Sequence, residues 1–387
     1  MTQDRLAAQM AFLTEACKLK SVNRANRLTD GSRVENSAEH SWHLALWVMI
    51  FSGNAPKIDL HRLITMALLH DLVEIDAGDH PIHLDHSSKD VAALEATAAK
   101  RLFAILPSEQ GHAFEAIWHE FDSGQSDDAR FARLLDKTQP MFQELATPTM
   151  TQEEHAILRD IYHDGRFADL AQEWPEAHTH AGALLHGTSS DATGGFLEQL
   201  RFLQEADKLK NILRGTTLCD GSRRENSGEH SWHIALYALV LAEYAIKPVR
   251  IDRVVQMLVI HDLVEIDAGD NPIHGDHDPL EQERIERLAA DRIYGLLPQT
   301  TADDLRSLWE EFEAAQSDDA VFAKSIDRVQ PVISNLETNG GTWPEYNVTL
   351  AQLEERVGIK VQRGAPAVWE HLRPRIENWF ASQEQVP

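Results

Sequence analysis

Apolar residues along the chain recur with the spacing of helices rather than of strands. After Asn36 the run Ser-Ala-Glu-His-Ser-Trp-His-Leu-Ala-Leu-Trp-Val-Met-Ile-Phe predicts a helix opened by an N-cap Asn with Glu39 at N3, a pairing that satisfies free N–H groups of the first turn. His40 falls in that turn. Residues 64–75 carry Leu, Met, Ala and Ile on nearly every side, as a helix buried in a domain centre should, with Gly78 as its stop. On it His70 and Glu74 are four apart and Asp71 and Glu74 three apart, so the three share one face. Further helices are predicted over 91–106, ended by Pro107, and over 129–138, ended before Pro140. Alternation with period two is rare and β-branched runs are scarce, so the chain reads as all-α.

The same pattern is written twice. DGSRVENSAEHSWHLAL at 30–46 returns as DGSRRENSGEHSWHIAL at 220–236, and HDLVEIDAGDHPIHLDH at 70–86 returns as HDLVEIDAGDNPIHGDH at 261–277, with 15 of 17 residues identical. A third block, 118–140, matches 309–331. A repeat of this length is a whole domain, far longer than a solenoid unit. HGTSSDATGG at 186–195 interrupts the apolar periodicity, which places a first domain at 1–187, a linker at 188–195 and a second domain at 196–387.

Composition narrows the partners. With 36 Lys and Arg against 62 Asp and Glu the net charge is −26, a surface that repels nucleic-acid polymers and anionic membranes. Cys17 and Cys219 are the only cysteines, too few for a disulfide framework or a Cys-rich zinc site, which fits a reducing compartment. The first residues, MTQDRLAAQMAF, lack a basic start before an apolar core, and no segment approaches the roughly 18 apolar residues of a membrane span. A cytoplasmic protein is expected.

Adjacent His and Asp among Leu, Met and Val are unusual, because an unpaired buried carboxylate costs several kcal/mol. A cation removes that cost. His40, His70, Asp71 and Asp136 supply two imidazoles and two carboxylates, mixed N/O ligation suited to Mn, Fe, Co, Ni or Zn. The second copy keeps His230, His261, Asp262 and Asp327, with gaps of 31 and 65 residues against 30 and 65 in the first. Regions 146–185 and 337–387 have drifted while these blocks have not. Arg24, Arg27 and Arg33 precede His40, and Arg214, Arg223 and Arg224 precede His230, local positive charge in an acidic chain. Arg24, Arg33, Arg214 and Arg223 are the candidates for a phosphate pocket.

His…His-Asp…Asp on helices, framed by ENSAEHSWH, HDLVEIDAGD and LLDKTQP, resembles the HD-domain metal-dependent phosphohydrolases, and within them the branch containing the 5′-deoxynucleotidases. The resemblance covers nearly the whole chain. It implies two tandem helical HD domains, one divalent metal per domain, and release of phosphate from small esters such as (deoxy)nucleoside 5′-monophosphates. It also implies the ligand set named above, proton transfer by Glu74 and Glu265, further substrate-side carboxylates at Asp79 and Asp270, and a phosphate grip by Arg24 and Arg214. The Trp that follows this Arg in relatives is Ala25 and Gly215 here, so deoxyribose selectivity does not carry over. Relatives of either half commonly pair, which implies an internal pseudo-dimer.

Other histidines leave alternatives open. His43 is expected to orient His40 or to pack, and His80 is Asn271 in the second copy. His83 and His86, with His274 and His277, read as a polar loop over the entrance. They would instead serve a second metal in a phosphodiesterase or a di-iron oxygenase. A nucleotide-binding regulatory module is the remaining alternative, which retention of Glu74 and Glu265 opposes. Trp42, Trp118, Trp232 and Trp309 are expected to be packing residues.

Overall fold

The computed structural model describes residues 2–54, 57–80, 88–164, 167–275 and 278–383. Asn36 caps the helix Ser37–Phe51 as the sequence predicts: its side chain accepts from the N–H groups of Ala38 and Glu39 while Glu39 reaches back to the Asn36 N–H. Asn226 and Glu229 repeat this box at the helix Ser227–Leu241. All fifteen residues of Ser37–Phe51 are buried, which requires cover on every side. Leu60–Leu69 and Asp127–Ala146 supply it from the same half, and Ser227–Leu241 from the other.

The architecture is all-α and twofold repeated. Each half opens with a helix (Thr2–Ala16; Gly194–Ala206) and continues through the capped central helix to Leu60–Leu69 or Ile251–Ile260. Ser88–Phe103, Ser108–Ser123 and Asp127–Ala146 follow in the first half, and Pro279–Tyr294, Gln299–Ala314 and Asp318–Glu337 in the second. Trp42, Trp118, Trp232 and Trp309 are all in the core. No described helix is long and apolar enough to cross a membrane.

Three local features depart from the sequence reading. The helix over 64–75 breaks at its functional residues: Leu60–Leu69 ends, His70–Val73 forms a 3₁₀ turn, and Glu74–Ala77 is a short separate helix. His70 Nδ1 takes the Ala67 carbonyl at 2.9 Å, the acceptor that the Asp71 N–H would use in a continuing α-helix. In the tighter turn residues three apart eclipse, which aligns Asp71 with Glu74. The Asp136 helix does not stop at Pro140 but runs from Asp127 to Ala146, as Asp318–Glu337 runs through Pro331. Proline removes one N–H four residues after the aspartate, and packing on both arms keeps the helix intact. Finally, a two-stranded hairpin precedes each central helix, Asn23–Arg27 with Val34–Asn36 and Leu213–Thr217 with Arg224–Asn226. Its signal was present in Asp30-Gly31 and Asp220-Gly221, whose glycines adopt φ of +72°.

The halves meet through reciprocal bonds, as an internal pseudo-dimer. Trp42 Nε1 donates to the Val259 carbonyl at 2.9 Å, and Trp232 Nε1 to that of Leu68 at 3.1 Å. Asn36 Nδ2 donates to Glu229 and Asn226 Nδ2 to Glu39, at 2.6 and 2.5 Å. One pair of equivalent positions differs. Asp207 accepts from the Thr29 N–H at 2.8 Å and its hydroxyl at 2.7 Å, whereas at the matching place Cys17 Sγ accepts from the Cys219 N–H at 3.4 Å.

Candidate metal centre

Three elements bring the first cluster together: the first turn of Ser37–Phe51 presents His40, the 3₁₀ break presents His70 and Asp71, and Asp127–Ala146 presents Asp136. Ligand atoms of His40, His70 and Asp71 all lie within 4.8 Å of one another. Asp136 Oδ1 closes the set, 3.0 Å from His40 Nε2 and 3.8 Å from His70 Nε2. The Ala67 carbonyl can only accept, so His70 Nδ1 carries the proton and Nε2 turns a lone pair inward. That Nε2 is buried and has no hydrogen-bond partner, yet lies 3.0 Å from Asp71 Oδ1. A lone pair facing carboxylate oxygens away from water needs a cation between them.

The second half repeats the geometry. His261 Nδ1 donates to the Leu258 carbonyl at 2.9 Å, and its buried Nε2 is likewise orphaned, 2.9 Å from Asp262 Oδ1. His230 Nε2 lies 3.1 Å from Asp327 Oδ1, with its other nitrogen 3.0 Å from Gln330 Oε1. These two groups are the ones among the described residues whose donors could hold a metal ion.

The hairpins place an arginine at each rim. Arg24 Nη1 donates to Asp71 Oδ2 at 3.0 Å and lies 4.0 Å from Glu74, and Arg214 Nη1 donates to Asp262 Oδ2 at 2.7 Å and lies 3.7 Å from Glu265. Burial, then the Asp71 charge, pushes the Glu74 carboxyl well above its usual range, and burial with Asp262 does the same to Glu265. Ser37 and Ser227 hydroxyls each donate to that glutamate at 2.5 Å. Asp79 is raised by burial, and Asp270 Oδ2 accepts from the Gly215 N–H at 3.0 Å. Although burial alone would lower it, the Asp71 carboxylate raises His70 to about 9, so the field of this cluster favours positive charge at Nε2, carried by a proton when no metal is bound and by the metal when one takes the lone pair.

The structure thus gathers His40, His70, Asp71, Asp136, Glu74, Asp79 and Arg24 in one half, and His230, His261, Asp262, Asp327, Glu265, Asp270 and Arg214 in the other. It does not bring Arg33 and Arg223 there. Their guanidiniums bind the cap glutamates Glu39 and Glu229 and donate to the Lys210 and Lys20 carbonyls at 2.6 and 2.7 Å, which makes them contacts between the halves. His43 turns away from His40 and donates to the Leu203 carbonyl at 3.0 Å. His80 lines the first cavity. His274 sits beside Arg356 and Arg328, and burial with those charges lowers it to about 4. His83, His86 and His277 lie outside the described residues.

Sequence reasoning missed Glu35 and Glu225, and Ser37 and Ser227. All four sit inside the first repeated block, so the repeat itself carried the signal. The two halves differ in what surrounds the cluster. In the first, a cavity of about 720 Å³ reaches Arg24, His70, Asp71, Glu74 and Asp136. In the second, Arg328 lines both an outer cavity of about 810 Å³ and an inner pocket of about 80 Å³ that holds Arg214 and Asp270.

The chain belongs to the HD domain family, whose model matches residues 16–178 and again 206–369. That membership implies a divalent metal, and the two His/Asp clusters fit one. The chain is similar to the 5′-deoxynucleotidase HDDC2 of Homo sapiens, 30% identical over 139 residues that make up 36% of this chain and 67% of that protein. It is similar to the 5′-deoxynucleotidase yfbR of Photorhabdus temperata, 26% identical over 167 residues, 41% of this chain and 84% of that one. A solved structure of a predicted metal-dependent phosphohydrolase from Magnetospirillum magnetotacticum MS-1 is 44% identical, covering 50% of this chain and all of that one, with a TM-score of 0.47. The curated similarities support a hydrolase.

Proposed function

We propose that the chain is a metal-dependent phosphomonoesterase that releases phosphate from small esters, nucleoside 5′-monophosphates foremost, with one divalent transition metal in each half. The observation that carries this reading is the orphaned Nε2 of His70 and of His261, each converging with a second imidazole and two carboxylates beside an arginine and a proton-holding glutamate. His40, His70, Asp71 and Asp136 would hold the metal in the first half, and His230, His261, Asp262 and Asp327 in the second. A bound metal supplies a water of lowered pKa and polarises a phosphoryl oxygen.

The protein's own groups do the rest. Arg24 and Arg214 offer a guanidinium at the cluster rim, where two N–H donors neutralise charge growing on the phosphoryl oxygens. Glu74 and Glu265 retain a proton because their sites are buried and already anionic, so each can deliver it to the departing ester oxygen. The serine hydroxyls fix the carboxyl that does this. Asp79 and Asp270 border the same space and are suited to contact the sugar side of a substrate. With Ala25 and Gly215 in place of the tryptophan, the base and sugar are held less closely, and ribonucleotides should be accepted with deoxyribonucleotides.

Phosphate release from ribo- and deoxyribonucleoside 5′-monophosphates, measured with Mn, Co, Fe, Ni, Zn or Mg, tests the reading. Metal-dependent release that the Asp71→Ala/Asp262→Ala variant lacks is expected. Metal binding without release from any ester would overturn it and point to a nucleotide-binding module.

A further inference from the structure

Behind each cluster, on the side away from the rim, lies a glutamate with no solvent exposure. Glu35 Oε1 sits 3.5 Å from Arg24 Nε and 3.8 Å from His40 Nδ1, and none of these three buried atoms has a hydrogen-bond partner. Glu225 Oε1 occupies the same place behind Arg214 Nε and His230 Nδ1, 3.6 Å from each. One carboxylate oxygen therefore stands against the arginine and the first histidine of its own site, and in the second half Gln330 bridges the same groups, its Oε1 3.0 Å from His230 Nδ1 and its Nε2 donating to Glu225 Oε2 at 3.1 Å. The other oxygen is held from across the molecule: Lys210 Nζ reaches Glu35 Oε2 at 2.9 Å, and Lys20 Nζ reaches Glu225 Oε2 at 2.9 Å, with all four side chains fully buried.

We propose that Lys20 and Lys210 are positioning residues acting in trans, each completing the metal centre of the half to which it does not belong. The inference rests on the two metal centres proposed above. A carboxylate behind a ligating imidazole fixes the ring and raises its basicity, and such outer partners typically change metal affinity by about 10–100-fold. A fully buried carboxylate keeps its charge and its place only when paired. The lysine is the near partner, at 2.9 Å on one oxygen, where the arginine Nε stands 3.5 or 3.6 Å from the other. Without it Glu35 or Glu225 would lose the 2.9 Å contact that fixes its second oxygen and would turn, and the histidine and arginine in front would lose their common anchor. The two lysines are not equally embedded, since Lys210 also meets Asp207 at 2.5 Å while the residue equivalent to Asp207 beside Lys20 is Cys17. Removing Lys20 thus strands a single buried carboxylate and is the milder perturbation.

The test is a crossed titration of the full chain with Co(II), read by its visible absorption bands. The unsubstituted chain checks that the centres bind metal, and separates failure of that reading from failure of this one. In an Asp71→Ala background only the second centre remains, and Lys20→Met is expected to weaken Co(II) there by about 10–100-fold and shift its bands, with Lys20→Arg restoring most of the affinity. In an Asp262→Ala background the same Lys20→Met is expected to leave the first centre within twofold. Equal weakening of both centres would mean general damage, and no weakening of the second would mean that Arg214 and Gln330 hold Glu225 without the lysine; either overturns the proposal. Should Lys20→Met fail to fold, Lys20→Met/Glu225→Gln removes both charges together, and the same one-sided loss is required of it.

Discussion

The two His/Asp clusters present the same donor set, and their surroundings differ. In the first half Asp136 is 30% exposed and its neighbour Lys137 turns to Glu173, so one open cavity runs to the ligands. In the second, Asp327 is 8% exposed, and Arg328, equivalent to Lys137, lies 3.6 Å from it and stands between an outer cavity and a narrow inner pocket. Tyr346 and Pro272 close that pocket further: a Cβ on Gly215 would stand 3.1 Å from Pro272 Cγ and 3.5 Å from Tyr346 Oη. Ligand geometry tolerates little displacement, because a metal fixes its donor distances within tenths of an ångström. Cavity walls carry no such restraint, and here two copies of one domain keep the chemistry while changing what can approach it.

The sharpest way to break this comparison is to remove one ligand at a time. Asp71→Ala and Asp262→Ala should each cut bound metal from two per chain to one, with more than about 100-fold loss of affinity at the altered centre, and equilibrium dialysis against metal would show it. Loss of both metals from one substitution would refute separate centres. Next, Glu74→Gln and Glu265→Gln should lower kcat at their own sites by about 10²–10⁴-fold with metal retained, measured in chains whose other centre is disabled. Arg328→Ala should join the two spaces of the second half and favour nucleotides over a small phosphate ester there by roughly tenfold in kcat/KM, while Lys137→Ala barely moves the same ratio in the first.

The smallest effect concerns the interface, where the halves agree. His43 is buried, donates to the Leu203 carbonyl, and is lowered to about 3, burial being the main cause; His233, donating to Leu13 at 2.9 Å, is lowered likewise. Unfolded histidine takes a proton near pH 6.5 and the folded one does not, so stability is full above that pH and falls as the pH drops towards 3. Unfolding free energies from urea titrations at pH 7.5 and 5.5 should differ by roughly 1 kcal/mol for each of these histidines, and His43→Gln should shrink the difference.

Much of this was legible in the chain. The eight proposed ligands, Glu74 and Glu265 lie in blocks that the duplication writes twice, and two copies with matched gaps say more than either motif; Arg24 and Arg214 stand six residues ahead of the first block, and only their matched distance from it marked them. The Asn36 cap was legible because it is decided by residues within one turn. The break at His70 was not, because a side chain competing for the Ala67 carbonyl looks like any other residue in an apolar helical run. Arg33 and Arg223 were misplaced for a similar reason: a cluster of arginines shows charge, and only the fold shows that Glu39 and Glu229 consume it. Lys20 and Lys210 were invisible, since their partners are 205 and 175 residues away.

A symmetric dimer of one chain must accept every substitution twice, once on each side of its axis. Joining the copies removes that obligation. The contact that holds Asp207 against Thr29 on one side holds Cys17 against Cys219 on the other, a sulfur pair and a carboxylate–hydroxyl pair at equivalent positions. In a homodimer both places would have to carry the same pair. The tether also fixes the local concentration of one half around the other, so these contacts form whether the protein is scarce or abundant. Independent evolution of two surfaces, at constant association, is what the covalent link confers.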